Sequence, residues 1–349
     1  MYTKFYGFQK KPFPLSPDPD YLFMSPKHEK VYIHLRYAIF ENKNFVVITG
    51  EIGSGKTTLI NFLLRQIKEP FKIAYIRNTL VSPVQFLKFI CQEFKIPVEE
   101  FDKPKILDAL REFLLKEYSA NRRVILIIDE AQNLSFQTLE EIRLISNLET
   151  EKEPLWQIIL VGQPELRRKL QHPSLKQFAQ RVTVYCHLEP LSKEETFEYI
   201  RHRLRVAGAK NLDLFTKDAI EAVYQYSRGI PRLINILCDT ALVYGFADGL
   251  LSIDKEVIEN VVEDRKKEGF LFEEENSENT FIADHKQLSS SPSELQDLKM
   301  RMDFIEKRLS SLEAMVKNFS EQLELCRNLQ QDLKKLFEAL IKYLEEKES

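Results

Sequence analysis

The chain's clearest chemistry sits in one short stretch. Gly50-Glu51-Ile52-Gly53-Ser54-Gly55-Lys56-Thr57 matches the pattern GxxxxGK[ST]. The chain has only ten glycines, against roughly 25 for average usage at this length. Three of the ten fall here, which marks a backbone demand rather than a bias of composition. Glycines let such a loop curl with its N–H groups turned inward. The helix that follows adds unpaired N–H groups and a positive dipole end, so the loop is built to hold phosphates. Lys56 is expected to reach the β- and γ-phosphates of ATP, and the Thr57 hydroxyl to hold Mg²⁺. Gly50 through Thr58 form the expected cradle.

Asp129 and Glu130 supply the complementary acid. They follow the apolar run Val124–Ile128, which reads as a strand buried on both faces. A strand ending in two carboxylates brings acid to the carboxyl end of a parallel sheet, where phosphates and Mg²⁺ sit. Asp129 is expected to support Mg²⁺, directly or through water. Glu130 is expected to polarise the attacking water as a general base. Arg232 follows Gly229-Ile230-Pro231. Pro231 suits the first turn of a helix, where a cation opposes the dipole, so an arginine there points to an anion nearby.

The elements that must position these residues read as alternating strand and helix. Strands are predicted at Phe45–Thr49, Lys72–Ile76, Val124–Ile128, Trp156–Val161 and Val182–His187. Helices are predicted at 27–43, Thr57–Ile67, Pro83–Phe94, Lys105–Tyr118 and Leu139–Leu148. This order predicts an α/β domain with a mostly parallel sheet covered on both faces. After Pro190 only helices are predicted: Lys193–Val206, Lys217–Tyr226, Pro231–Phe246 and Lys255–Val262. The expected organisation is an N-terminal arm and first helix at 1–44, a nucleotide-binding α/β domain at 45–190 and a helical lid at 191–265. A polar, acidic linker follows at 266–293. The arm, rich in proline and aromatics, reads as extended chain. Its Phe5, Phe8 and Phe13 either border the adenine or, on the favoured reading, anchor the arm in a core.

Residues 294–349 show a heptad seam. Apolar residues step by three and four from Leu295 through Leu298, Met302, Ile305, Leu309 and Leu312, and on to Leu344, with Gln330 as the polar exception. About seven heptads, roughly 75 Å of helix, predict a coiled coil rather than one helix packed on its own domain.

Composition excludes other classes. Lys and Arg number 50 against 53 Asp and Glu, a net charge of −3, so a globally basic nucleic-acid binder is not expected. No apolar stretch is long enough to span a membrane, and the N-terminus lacks a signal-peptide core. The four cysteines are dispersed and the six histidines show no metal-ligand spacing, which argues against disulfides and zinc.

Taken together, GEIGSGKTT, LIIDEAQNLS, IRLISNLET, LVGQPELR, QRVTVYCHLEPLS, YIRHRL and GIPRLINILCD resemble the ExeA/GspA-type AAA+ ATPases. That group includes secretion- and pilus-associated members and relatives encoded with exosortase and exopolysaccharide systems. The opening FYGFQKKPFPLSPDPDYLF resembles it too, so the similarity covers about residues 1–265. The resemblance implies an AAA+ P-loop NTPase fold with an all-α lid, and roles for further residues. Gln163 takes the sensor 1 position, where many AAA+ proteins carry Asn. Arg232 takes sensor 2. Arg181 takes the place of an arginine that reaches a neighbouring subunit's γ-phosphate, with Arg167 and Arg168 as alternatives and a surface ion pair as the plain reading. Asn78 is implied as a restraint on Glu130 until a partner binds, with an ordinary strand-end turn as the favoured plain reading. The secretion-type members often continue into a membrane span and a peptidoglycan-binding domain. Here a linker and coiled coil stand instead, so direct cell-wall contact is not expected.

The expected function is a Mg²⁺-dependent ATPase acting as a motor or regulator in assembly of a secretion, pilus or exopolysaccharide-type system. It is expected to self-associate, by a ring or through the coiled coil, in the cytoplasm, either held peripherally at the inner membrane by an assembly component or acting free in the cytosol. The alternative is an ATP-dependent DNA-binding regulator similar to the transposition protein TnsC, using the clusters Arg167-Arg168-Lys169 and Arg201, Arg203, Arg205. A third reading is a scaffold in which nucleotide gates coiled-coil assembly without hydrolysis.

Overall fold

Strand side chains alternate between two faces, and the three central strands of this chain are buried at every position but the first residue of one, Arg123, because both faces are covered. The computed structural model describes residues 2–67, 71–77, 79–98, 102–150 and 153–268. The expected coiled coil, Asn78 and all but the first residues of the expected linker lie outside them. The strands are β1 (Phe45–Gly50), β2 (Phe71–Ile76), β3 (Arg123–Ile128), β4 (Trp156–Gly162) and β5 (Val182–Leu188). They form one five-stranded sheet in the order β2-β3-β4-β1-β5, and every pairing is parallel.

Twelve helices surround or follow the sheet among the described residues: α1 (Tyr2–Phe5), α2 (Pro26–Phe40), α3 (Lys56–Gln66), α4 (Pro83–Glu93), α5 (Lys103–Ser119), α6 (Phe136–Ile145), α7 (Pro164–Leu170), α8 (Lys176–Ala179), α9 (Lys193–Val206), α10 (Lys217–Ser227), α11 (Pro231–Ala247) and α12 (Lys255–Lys267). The period-two rule sorts the core. Phe45, Val47, Val124, Leu126, Trp156 and Ile158 pack with Phe86, Ile90, Leu110 and Leu139 of α4, α5 and α6. Val46, Ile48, Ile125, Ile127, Ile159 and Val161 pack on the other face with Leu35 and Ile39 of α2 and Leu59 and Leu63 of α3.

Local signals set the helix starts. Ser82 with Gln85, and Ser192 with Glu195, form reciprocal capping boxes on α4 and α9. Ser135 caps α6, so that helix begins three residues before the expected Leu139. By contrast, α3 has Gly55 at its N-cap, with φ +100 and no side-chain cap. Its first N–H groups are left for something other than the chain's own side chains.

Helices α9 to α12 form a second core with no strand. Tyr2, Phe8 and Phe13 of the N-terminal arm are buried in it, and the Phe13 ring meets Phe215 edge-on at 6.0 Å. The expectation of extended chain through residue 26 needs correction at α1 and at a 3-10 turn, Pro19–Tyr21. That turn has Pro19 at its first position, and the Asp18 carboxylate accepts from the Asp20 N–H, a local bond that outweighs the extended bias. Helix α7 was missing from the sequence reading, although Pro164 at its start, Glu165 in its first turn and Arg167, Arg168 and Lys169 in its last are standard terminal signals.

Candidate functional site

The site forms where β1, β3 and β4 end together and the arm and α11 close over them. Gly53 and Gly55 hold φ of +79 and +100, values that glycine adopts without strain. A Cβ on Gly50 would lie 2.6 Å from the Leu188 carbonyl oxygen, and one on Gly53 would overlap the Cβ of Arg232. Within the loop, Lys56 Nζ donates to the carbonyls of Gly50 (2.7 Å) and Glu51 (2.8 Å). Burial lowers its pKa, against the pull of Glu130, Asp129 and Glu51. Ser54 Oγ is buried without a partner.

Asp129 sits directly across from α3. Its Oδ2 accepts from the Thr57 hydroxyl at 3.0 Å and from the Tyr75 hydroxyl at 2.7 Å. Its Oδ1 accepts from the Glu130 N–H at 3.0 Å. Burial, then the Asp129 charge and hydrogen bond, raises the Tyr75 pKa, so this phenol stays a donor. Glu130 is left-handed, with φ +52, a conformation that costs a non-glycine residue on the order of 1–3 kcal/mol. It turns the carboxylate out of the sheet and into the cleft. Glu130 Oε2 accepts from Gln132 Nε2 at 2.5 Å and from Gln163 Nε2 at 3.3 Å. Arg232 approaches from the other side, and its N–H donates to the Gly53 carbonyl at 3.2 Å. Lys56, Thr57, Thr58, Glu130, Gln163 and Arg232 all line one cleft.

The comparisons bear on this geometry. Residues 39–170 match a family model described as an AAA domain. General secretion pathway protein A of Aeromonas hydrophila is 44% identical over 250 residues, which cover 71% of this chain and 46% of that protein. The chain thus spans about half the length of this curated relative. The chain is an ExeA/GspA-like AAA ATPase. Two solved structures share its fold. The Aeropyrum pernix ORC1 protein in complex with DNA has a TM-score of 0.55 at 16% identity, over 74% of this chain and 70% of that one. The ORC2 protein of the same organism, in ADPNP-ADP complexes, has a TM-score of 0.52 at 16% identity, over 69% and 68%.

In this AAA ATPase the remaining predicted residues fall into two groups. Glu51 and Ile52 are exposed at the loop's tip, and Ile52 lines the cleft. Arg181 lies elsewhere. It precedes β5, whose Val182 pairs with Phe45 at the start of β1. It therefore stands at the end of the sheet away from the glycine loop, roughly 17 Å off along a strand of this length. Its Nη1 donates to Ser146 Oγ at 3.0 Å rather than forming the surface ion pair of the plain reading. Arg167 and Arg168 are exposed on α7, and Arg167 stacks over the Tyr185 ring at 5.5 Å. Phe5, Phe8 and Phe13 do not line the cleft, which corrects the adenine option. The arm contributes Pro14 to Asp18 and Tyr21 to Phe23 instead.

Several site residues had no role in the sequence reading. His28 is buried under the loop, with Nδ1 2.9 Å from Ser25 Oγ. It hydrogen-bonds the Ser54 backbone, and burial lowers its pKa. Its Nε2 is 3.2 Å from where a Cβ on Gly55 would stand. Arg203 counted only as part of a basic cluster. It is buried, donates to the carbonyls of Pro12 (2.9 Å) and Pro14 (3.0 Å), and stacks on Tyr21 at 4.4 Å. Arg201 is paired with Asp213 at 3.3 Å. Arg203 is thus a strut for the arm, while Arg205 is exposed.

Proposed function

We propose that this protein binds ATP in the cleft and hydrolyses it to ADP and phosphate, acting as a motor or regulatory ATPase in assembly of a secretion, pilus or exopolysaccharide-type system. One observation supports hydrolysis above all: Glu130 is turned by its left-handed backbone into the same cleft as Lys56 and the uncapped start of α3. The loop amides and Lys56 bind the phosphates. Water attacks the γ-phosphorus, its proton passes to Glu130, and the bond from phosphorus to the ADP oxygen breaks. Thr57 and Asp129, adjacent hard oxygen donors, fit Mg²⁺ held jointly with substrate phosphates, and Mg²⁺ there supplies charge neutralisation. Gln163 and Arg232 take the sensor positions on either side. Arg181 is too far from its own cleft to serve it, so its proposed catalytic role is in a neighbouring copy. The similarity to general secretion pathway protein A supports the process, and a cytoplasmic place at the inner membrane follows from that reading. No helix among the described residues is long and apolar enough to cross a membrane. For the DNA-binding alternative, the burial of Arg203 and the pairing of Arg201 weaken one of its two basic clusters, while Arg167, Arg168 and Arg205 are exposed.

Lys56→Ala is expected to abolish ATP binding by calorimetry. Glu130→Gln is expected to keep binding and lose turnover by about 10²-fold or more. Magnesium-dependent phosphate release that survives Lys56→Ala would reject the site.

A further inference from the structure

The geometry points to Gln132 as the residue that positions Glu130 and chooses which of its oxygens faces water; this rests on the proposal that Glu130 is the base. Gln132 has no place in the glycine loop or the acidic pair, yet both ends of its amide are committed. Its Oε1 accepts from the Gln163 backbone N–H at 3.1 Å, and its Nε2 donates to Glu130 Oε2 at 2.5 Å. Chemistry fixes that orientation, since the reversed amide would set a carbonyl against a carboxylate and an NH₂ against an N–H. The backbone beneath is also held. Gln132 lies in a 3-10 turn, Ala131–Asn133, and Lys169 Nζ of α7 donates to the carbonyls of Gln132 and Leu134. Gly162 completes the fit, because a Cβ there would stand 2.8 Å from Gln132 Oε1.

The consequence is atomic. Gln132 and Gln163 both donate to Oε2 of Glu130. Among the described residues no donor reaches Oε1, so Oε1 is the oxygen left to take the proton of the attacking water. Gln132 also ties the acidic turn to the start of α7, so Glu130 and Gln163 move as one unit. Gln132 is a positioning residue, acting through Glu130.

The test is a double-mutant cycle on the full chain, with ATP turnover and ATP affinity measured for Gln132→Ala, Gln132→Leu, Glu130→Gln and the double variants. A misplaced base costs on the order of 10²-fold, so both Gln132 variants are expected to lower kcat about 10- to 100-fold with ATP affinity within about threefold of the parent. In the Glu130→Gln background they should have almost no further effect on turnover, because the group they position is already gone. Unchanged kcat in the single variants overturns the inference. So does loss of ATP affinity in step with turnover, or a full multiplicative loss in the double variants, either of which would mark a structural residue. If Glu130→Gln itself turns over normally, the base assignment fails instead, and that outcome is distinct.

Discussion

His28 shows how a single buried side chain beneath the glycine loop can tie stability to pH. It sits in the first turn of α2, where a positive charge opposes the helix dipole, and is buried beneath Ser54 and Gly55. Glu195 favours its charged form and Lys27 opposes it, but burial is the largest influence and lowers its pKa below the usual 6.5. The unfolded chain therefore binds the proton first as pH falls. The stability from neutral His28 is fully present above about pH 6.5 and is lost as pH drops toward the folded value, at up to about 1.4 kcal/mol per pH unit. His202 is lowered too, by burial and then Arg205 and Arg203, and adds a slope of the same sign. The informative quantity is thus the difference between the parent and His28→Gln. Calorimetric melts from pH 8 to 5 should give a shallower acid slope in the variant, and parallel curves would refute the assignment. At this scale the sequence was readable where spacing alone defines the chemistry, as in the glycine loop and the Asp129–Glu130 pair. His28, Tyr75, Gln132 and Arg203 were not, because each acts on an atom far away in sequence or on a backbone carbonyl that no motif records.

The junction between the glycine loop and α11 is an element-level device. Gly53 packs against the Cβ of Arg232, and the Arg232 N–H donates to the Gly53 carbonyl. The loop therefore carries the start of α11 on its back, and nucleotide bound in the loop is expected to be coupled to the helical domain. Gly53→Ala combines a left-handed alanine, which costs about 1–2 kcal/mol, with a clash against a Cβ that cannot rotate away. It is expected to weaken ATP binding at least about tenfold and to lower stability by about 1–3 kcal/mol. Gly249 is the control. Its φ is +66 but nothing lies within 4 Å of a Cβ there, so Gly249→Ala should cost only the backbone term and leave ATP affinity unchanged. Equal affinity losses in both variants would remove the packing argument. The five strands were legible almost to the residue, the three central ones as apolar runs buried on both faces and the edge strands β2 and β5 as runs rich in β-branched and aromatic residues. Helix α7 is not legible from periodicity because its seven residues are too short to show a period, and only its terminal signals mark it.

Sheet order has no local signature: nothing in the runs themselves places β4 between β1 and β3. Yet that order decides what Arg181 can do. Parallel strands put every loop that follows a strand at one end of the sheet and every loop that precedes one at the other. Glu130, Gln163 and the glycine loop follow strands. Arg181 precedes β5, beside the start of β1. No side-chain rotation carries a guanidinium across roughly 17 Å of strand, so a catalytic Arg181 serves a second copy or none. Heterologous contacts of that kind build rings or helical filaments, and activity should rise with protein concentration. Arg181→Ala is expected to lower turnover by about 10³-fold, the scale of arginine fingers in related phosphoryl transfers, with ATP binding retained. The decisive measurement mixes two inactive proteins. Arg181→Ala keeps an intact cleft, and Glu130→Gln keeps an intact Arg181. At equal amounts about a quarter of the adjacent pairs in a mixed ring combine one good cleft with one good arginine, and phosphate release should recover to about that fraction. Mixtures as inactive as their components, at concentrations where the parent is assembled, would return Arg181 to its bond with Ser146 and nothing more.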